Sequence, residues 1–255
     1  MSRSPVVIIA GGSKGIGLAV TSILLSEFNA SVVTLSRSIT SGLRDLESDR
    51  LLALECDVAN ESAVQSAVQK AIEKFNRIDG LILNAGIIAP ICRIGDQTPI
   101  SAWKECFDIN FFSLVTTITA TLPSLRESGL GGKIVFVSSG AAEGSAYSGW
   151  GAYSASKAAM NSLCRTLAAE DPSVISVAVR PGIVDTDMQV EIRGTGSLAM
   201  GPVHQKFVDL HQTGSLLKPE DPGHVIAALA VDCPKELSGE FVSWNDEVCK
   251  PFMLK

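Results

Sequence analysis

Two residues in the stretch YSASK, Tyr153 and Lys157, are of types that can move a proton. Their i, i+4 spacing places both on one face of a helix, one turn apart. A free phenol has a pKa near 10, too high to respond well at neutral pH. A neighbouring ammonium stabilises the phenolate and lowers that value. Such a pair can protonate an oxygen that is gaining negative charge, or take the proton back in the reverse direction. Alone, Tyr-x3-Lys occurs on many helices as surface decoration. Its company decides the matter. Ser138 and Ser139 end the apolar run IVFVSS, and ligands of open α/β sheets bind beyond the carboxyl ends of the strands.

A second group of residues suits a phosphate. The stretch AGGSKGIG follows the first apolar run directly, with Gly11, Gly15 and Gly17 in the order G-x3-G-x-G. A glycine-rich turn between strand and helix lets backbone N–H groups approach a pyrophosphate, and the helix N-terminus favours the anion. The second apolar run ends in LSR. In dinucleotide folds an acid near this place bonds a ribose 2′-hydroxyl, whereas an arginine accommodates a 2′-phosphate. No Asp or Glu occurs from Ser31 to Gly42, Arg37 closes the run, and Lys14 adds a cation from the glycine loop. These residues point to NADP(H) rather than NAD(H).

The elements that must position these groups are legible as alternating patterns. Near-continuous apolar runs at 6–10, 31–36, 51–57, 80–84, 133–138, 174–180 and 240–244 read as strands, of the kind a parallel sheet covered on both faces requires. Amphipathic helices lie between them. One follows Asn60, a good N-cap, with Val64, Val68, Ile72 and Phe75 as its stripe; another spans 103–126; a third holds YSASK. Alternation of this kind predicts a Rossmann-like, doubly wound α/β sheet in three layers and one domain over 1–255. The segment 187–219 shows no strand pattern and is expected to be a substrate lid.

Bulk properties exclude several classes. The 255 residues carry a net charge of −6, with no block of Lys or Arg, so nucleic acid is not an expected partner. No stretch reaches the ~18 apolar residues of a membrane span, and the opening apolar run is too short for a secretory signal. The six cysteines are scattered without a C-x-x-C, which predicts reduced, mostly buried thiols and a cytoplasmic protein. His204, His211 and His224 have no ligand spacing, so no metal is expected.

The chain resembles the short-chain dehydrogenase/reductases over nearly its whole length. Their glycine motif is matched by Gly11, Gly15, Ile16 and Gly17, their adenine-contacting aspartate by Asp57, and their NAG by Asn84-Ala85-Gly86. Their helix asparagine is matched by Asn110, their serine strand by IVFVSS, their Tyr-x3-Lys by Tyr153 and Lys157, and their PG-plus-threonine by Pro181, Gly182 and Thr186. Within the family, GWGAYSASKAAMN and PGIVDTDMQVEIR look like segments of the fungal benzil reductases that form (S)-benzoin, relatives of sepiapterin reductase.

The resemblance implies a carbonyl reductase acting on an aryl or α-dicarbonyl compound. Tyr153 would be the acid, Ser139 the oxyanion donor, Lys157 the ribose holder and Asn110 the anchor of a proton-relay water. Ser13, Lys14, Ser36, Arg37, Val58, Ile183, Val184 and Met188 would complete the cofactor site, and Tyr147, Trp150 and Met188 the substrate walls. A homodimer or homotetramer is expected. Two departures stand out. Ala10 replaces the threonine that commonly precedes the first glycine. The usual serine-to-tyrosine spacing would also fall on Gly140, so a one-residue insertion in 140–149 assigns Ser139, with Ser138 as the other candidate. The alternatives are a pterin reductase using Asp246, an NADP(H)-binding sensor without turnover, and an enoyl reductase, which would need a wider Tyr–Lys spacing.

Overall fold

The computed structural model describes residues 4–96, 98, 100–144 and 146–254. Seven parallel strands form one sheet: β1 (Val6–Ala10), β2 (Ser31–Ser36), β3 (Leu51–Glu55), β4 (Gly80–Leu83), β5 (Gly132–Val137), β6 (Val174–Arg180) and β7 (Phe241–Ser243). Their order is β3-β2-β1-β4-β5-β6-β7. The chain reverses direction across the sheet between β1 and β4, and this switch point opens a crevice at the carboxyl ends.

Successive strand residues face opposite sides, and both sides are buried. Val7, Ile9, Val135 and Val177 pack under α1 (Gly15–Ser26) and α10 (Glu220–Val231). Ile8, Val33, Leu81 and Phe136 pack under α3 (Glu61–Phe75), α5 (Ser113–Arg126) and α6 (Gly151–Glu170). Helix α2 (Ser41–Arg44) is a single turn after β2. Asn60 caps α3, its Oδ1 accepting from Ala63 N at 3.0 Å; Val64 and Val68 are buried, and Ile72 and Phe75 pack at the core's edge. Several strands stop short of their apolar runs because the chain turns over the crevice. Asn84 N and Ala85 N both donate to Ala10 O, and Asn60 N donates to Asp57 O.

The expected helix over 103–126 is interrupted. It consists of α4 (Ile100–Phe107), a π-helical turn at Asp108–Phe112, and α5. Ser113 N–H reaches back to Asp108 O, the five-residue span of a π turn. The widened turn buries Asn110 completely. The segment 187–219 is not a plain loop but three helices, α7 (Asp187–Thr195), α8 (Ser197–Met200) and α9 (Val203–Gln212). It returns to the sheet's end through a bridge between Val184 and Leu217.

At the amino ends of the strands, the buried Asp79 carboxylate ties three segments together. It accepts from Val6 N (2.8 Å), Arg77 Nε (2.7 Å) and Ser128 Oγ (2.7 Å), so its charge is paired and both of its oxygens are hydrogen-bonded.

Candidate active site

A cleft of about 610 Å³ runs along the carboxyl ends of the strands. Every residue assigned from the sequence to catalysis, cofactor or substrate lines it, except Gly17 and Asn110. Those two form its backing.

At the phosphate end, α1 begins without a side-chain cap, so its first N–H groups face the turn unpaired by any side chain. Gly15 has φ +49°, a left-handed value that suits glycine. A Cβ on Gly17 would lie 1.9 Å from Gly11 O and 2.7 Å from Asn84 Nδ2. Asn84 Nδ2 itself donates to Gly11 O at 2.7 Å. The loop is packed to the limit, leaving backbone as the surface a ligand meets. This cradle fits a dinucleotide pyrophosphate.

Arg37 is exposed at the end of β2 and forms no ion pair among the described residues. Ser36 beside it buries a hydroxyl without a protein partner, and both residues line the cleft. Lys14, the second cation expected from the sequence, is not free. Its Nζ is paired with Asp187 Oδ2 at 3.1 Å. Asp57 Oδ1 accepts from Ala59 N (3.0 Å), which fixes the carboxylate at the end of β3.

At the chemical end, α6 carries Tyr153 and Lys157, both buried. Lys157 Nζ donates to Val137 O at 2.8 Å and stands 5.8 Å from the Tyr153 ring centroid. Ser139 caps the turn after β5, its Oγ accepting from Ala141 N at 3.1 Å, and its side chain lies close enough to the Tyr153 phenol to act on that group's pKa. Ser138 Oγ is instead spent on Asn161 Oδ1 at 2.6 Å, in the core. The geometry therefore places Ser139, not Ser138, beside the tyrosine. Residue 145 of the loop assigned the insertion lies outside the described residues.

The π turn explains the position of Asn110. Its Oδ1 accepts from Ile87 N (2.8 Å), while Nδ2 donates to Ile87 O (2.9 Å) and Ser156 Oγ (3.1 Å). Asn110 Oδ1 and Lys157 Nζ face each other across Gly86, where a Cβ would lie 3.3 and 3.6 Å from them. A side chain at this position would stand in contact with both groups.

Burial corrects one expectation. The phenol of Tyr153 is not lowered: desolvation raises it above the ordinary tyrosine value, with the nearby Ser139 side chain opposing. Desolvation lowers Lys157 to about 8. At neutral pH the tyrosine is thus held in its proton-carrying form, and the lysine is still an ammonium. The sign follows directly. The ammonium is present below about 8 and lost as pH rises through that value. kcat/KM for carbonyl reduction, which reports the free enzyme, is expected to be level below that pH and to fall above it. A Lys157→Arg variant, whose charge persists, should lose that alkaline limb in its residual activity; an unchanged limb would assign the titration to another group.

The far wall is aromatic. Tyr147 and Trp150 lie 4.5 Å apart between ring centroids, and Trp150 stands edge-on to Tyr153 at 5.8 Å. Phe207 of α9 completes the wall, 5.3 Å from Trp150 and 6.0 Å from Tyr147. Met188, Ile192 and Met200 close the same cluster from 187–219. Phe207 was not picked out from the sequence, although it is the only aromatic residue between 187 and 219. Asp246 does not line the cleft, and its Oδ2 accepts from Ser243 N at 2.7 Å.

The comparisons agree with this architecture. The family described as short chain dehydrogenase matches residues 5–196. The chain is 42% identical over 248 residues to an uncharacterized oxidoreductase of Schizosaccharomyces pombe, covering 95% of this chain and 97% of that one. It is 36% identical to the benzil reductase ((S)-benzoin forming) of Saccharomyces cerevisiae, covering 96% and 98%. A crystal structure of a Saccharomyces cerevisiae short-chain dehydrogenase/reductase superposes with a TM-score of 0.93 at 36% identity, covering 98% of this chain and all of that one. With its glycine cradle, its Tyr153–Lys157 helix and these relatives, the chain belongs to the short-chain dehydrogenase/reductase family of oxidoreductases.

Proposed function

We propose that the protein is an NADPH-dependent carbonyl reductase that converts one ketone of an aryl or α-dicarbonyl compound to a hydroxy ketone. The observation that carries this reading is the buried Tyr153 phenol, a proton donor with Ser139 and Lys157 nearby, at the foot of a wall made by Tyr147, Trp150 and Phe207. Such a wall accepts an aryl group by stacking and edge contacts. The Saccharomyces cerevisiae relative named a benzil reductase supports the same substrate class. Arg37, the unpartnered Ser36 hydroxyl and the absence of an acid from Ser31 to Gly42 favour a 2′-phosphate on the cofactor.

When bound, the dinucleotide supplies the hydride. Ser139 donates a hydrogen bond to the carbonyl oxygen and steadies the charge that develops there. Tyr153 gives that oxygen its proton. Lys157 donates to Val137 O at 2.8 Å and, at 4.0 Å, to Met160 Sδ, and its remaining N–H is for the nicotinamide ribose. Asn110 faces it across Gly86 and would hold the water that returns a proton to the site. The six free thiols, five of them buried, suit a reducing, cytoplasmic setting, and among the described residues no helix is long and apolar enough to cross a membrane. Phe112 and Val115, apolar and exposed at the start of α5, suit the dimer or tetramer expected of the family.

The test is NADPH consumption with benzil, compared with NADH. Turnover with a clear NADPH preference is expected. A preference for NADH would sink the cofactor assignment, and inactivity across a panel of dicarbonyls would favour a dinucleotide-binding sensor. Asp246 lies away from the cleft, so sepiapterin is expected to compete poorly with benzil.

A further inference from the structure

The two cations at the adenine end of the cleft stand in different states. Arg37 forms no ion pair among the described residues, whereas Lys14 Nζ lies 3.1 Å from Asp187 Oδ2, with the two side chains 61% and 78% exposed. Lys14 is next to Ser13, whose carbonyl accepts from Thr40 Oγ1 at 2.7 Å, in the turn that follows Arg37. Asp187 opens α7. The two segments also meet one residue along on each side, where a Cβ on Gly15 would lie 2.9 Å from Thr186 Cγ2. One carboxylate therefore occupies the lysine nearest the place where a second phosphate would sit, and both line the cleft.

We propose that Asp187 tunes cofactor discrimination by holding Lys14. A dinucleotide with a 2′-phosphate must draw Lys14 off Asp187; one with a free 2′-hydroxyl leaves the pair intact. The inference rests on the NADP(H) reading above. A 2′-phosphate carries more charge than one carboxylate and outcompetes it. The pair is exposed, so its hold is weak and salt-sensitive. The effect is a several-fold adjustment and not an on–off switch. Discrimination would otherwise be stronger: the carboxylate blunts a preference that Arg37 and Lys14 would together set higher.

A double-mutant cycle tests this, with the dissociation constants of NADPH and NADH measured by titration at low ionic strength. Asp187→Asn is expected to tighten NADPH about 2- to 5-fold and to leave NADH unchanged. In a Lys14→Gln background the same substitution should do nothing to NADPH, and raising the salt should erase the gain. Equal tightening in both backgrounds would show a general removal of negative charge, and equal change for both cofactors would show a simple strap over the cleft. Either result overturns the proposal. The wild-type NADPH/NADH ratio tests the cofactor reading separately. If the wild type prefers NADH, that reading fails, while the cycle still reports whether Asp187 restrains Lys14.

Discussion

Tyr153→Phe is expected to lower kcat/KM for ketone reduction by about 10²- to 10⁴-fold, the range of a positioned general acid. Dinucleotide affinity and Tm should change little. The substitution removes one oxygen and keeps the ring that packs edge-on against Trp150, so no cavity opens in the wall. What is lost is the phenolic proton, which the buried tyrosine carries at neutral pH. Ser139 remains in place, its Oγ still accepting from Ala141 N, and can still polarise the carbonyl without protonating it. The decisive comparison is stopped-flow reduction of benzil by both proteins at saturating cofactor. Retention of more than about a tenth of the activity would mean that another group is the acid, because general acids contribute at least ~10²-fold.

Gly17→Ala should be nearly as damaging for a different reason. Its methyl would stand 1.9 Å from Gly11 O, and a Cβ has no rotamer through which to escape. Gly11 cannot yield freely, since its N–H donates to Leu35 O at 2.7 Å and its carbonyl accepts from Asn84. The phosphate loop must shift as a unit. Overpacking of this kind costs about 1–3 kcal/mol, so Tm should fall, and dinucleotide affinity should fall on the order of 10- to 100-fold. Gly194, inside α7 with nothing near its missing Cβ, is the control. There, alanine removes a helix penalty of about 1 kcal/mol and should leave binding untouched. If calorimetry finds both variants alike, the loop is not tightly packed in solution.

Much of this was readable from residue order. The strands lie where the apolar runs are because parallel strands are buried on both faces, and a continuous run is what double burial selects. The errors at their ends share one cause. Asn84, Asp57 and Ser138 extend apolar runs by a residue or more, but at the crevice the backbone turns away to serve the site. The π turn was invisible because the flanking helices are too short and too mixed in polarity to reveal a one-residue slip in phase; its consequence is a buried asparagine bonded to Ile87. The raised Tyr153 phenol was misjudged because the i, i+4 spacing reveals a neighbouring cation and says nothing of burial. Phe207 and Asp187 escaped for a similar reason. Which side of the 187–219 segment meets the cleft is decided by long-range packing, and no local pattern encodes it.

The carboxylate of Asp79 has a wider meaning. It knots the strand beginnings at one rim of the sheet, while all the chemistry gathers at the opposite rim, a strand's length away. Perturbations that far apart combine almost additively. A lesion such as Asp79→Asn would shorten the lifetime of the folded molecule and leave each survivor working at full speed. Wear and turnover are governed from separate ends, and dividing activity by intact protein instead of total protein would reveal it.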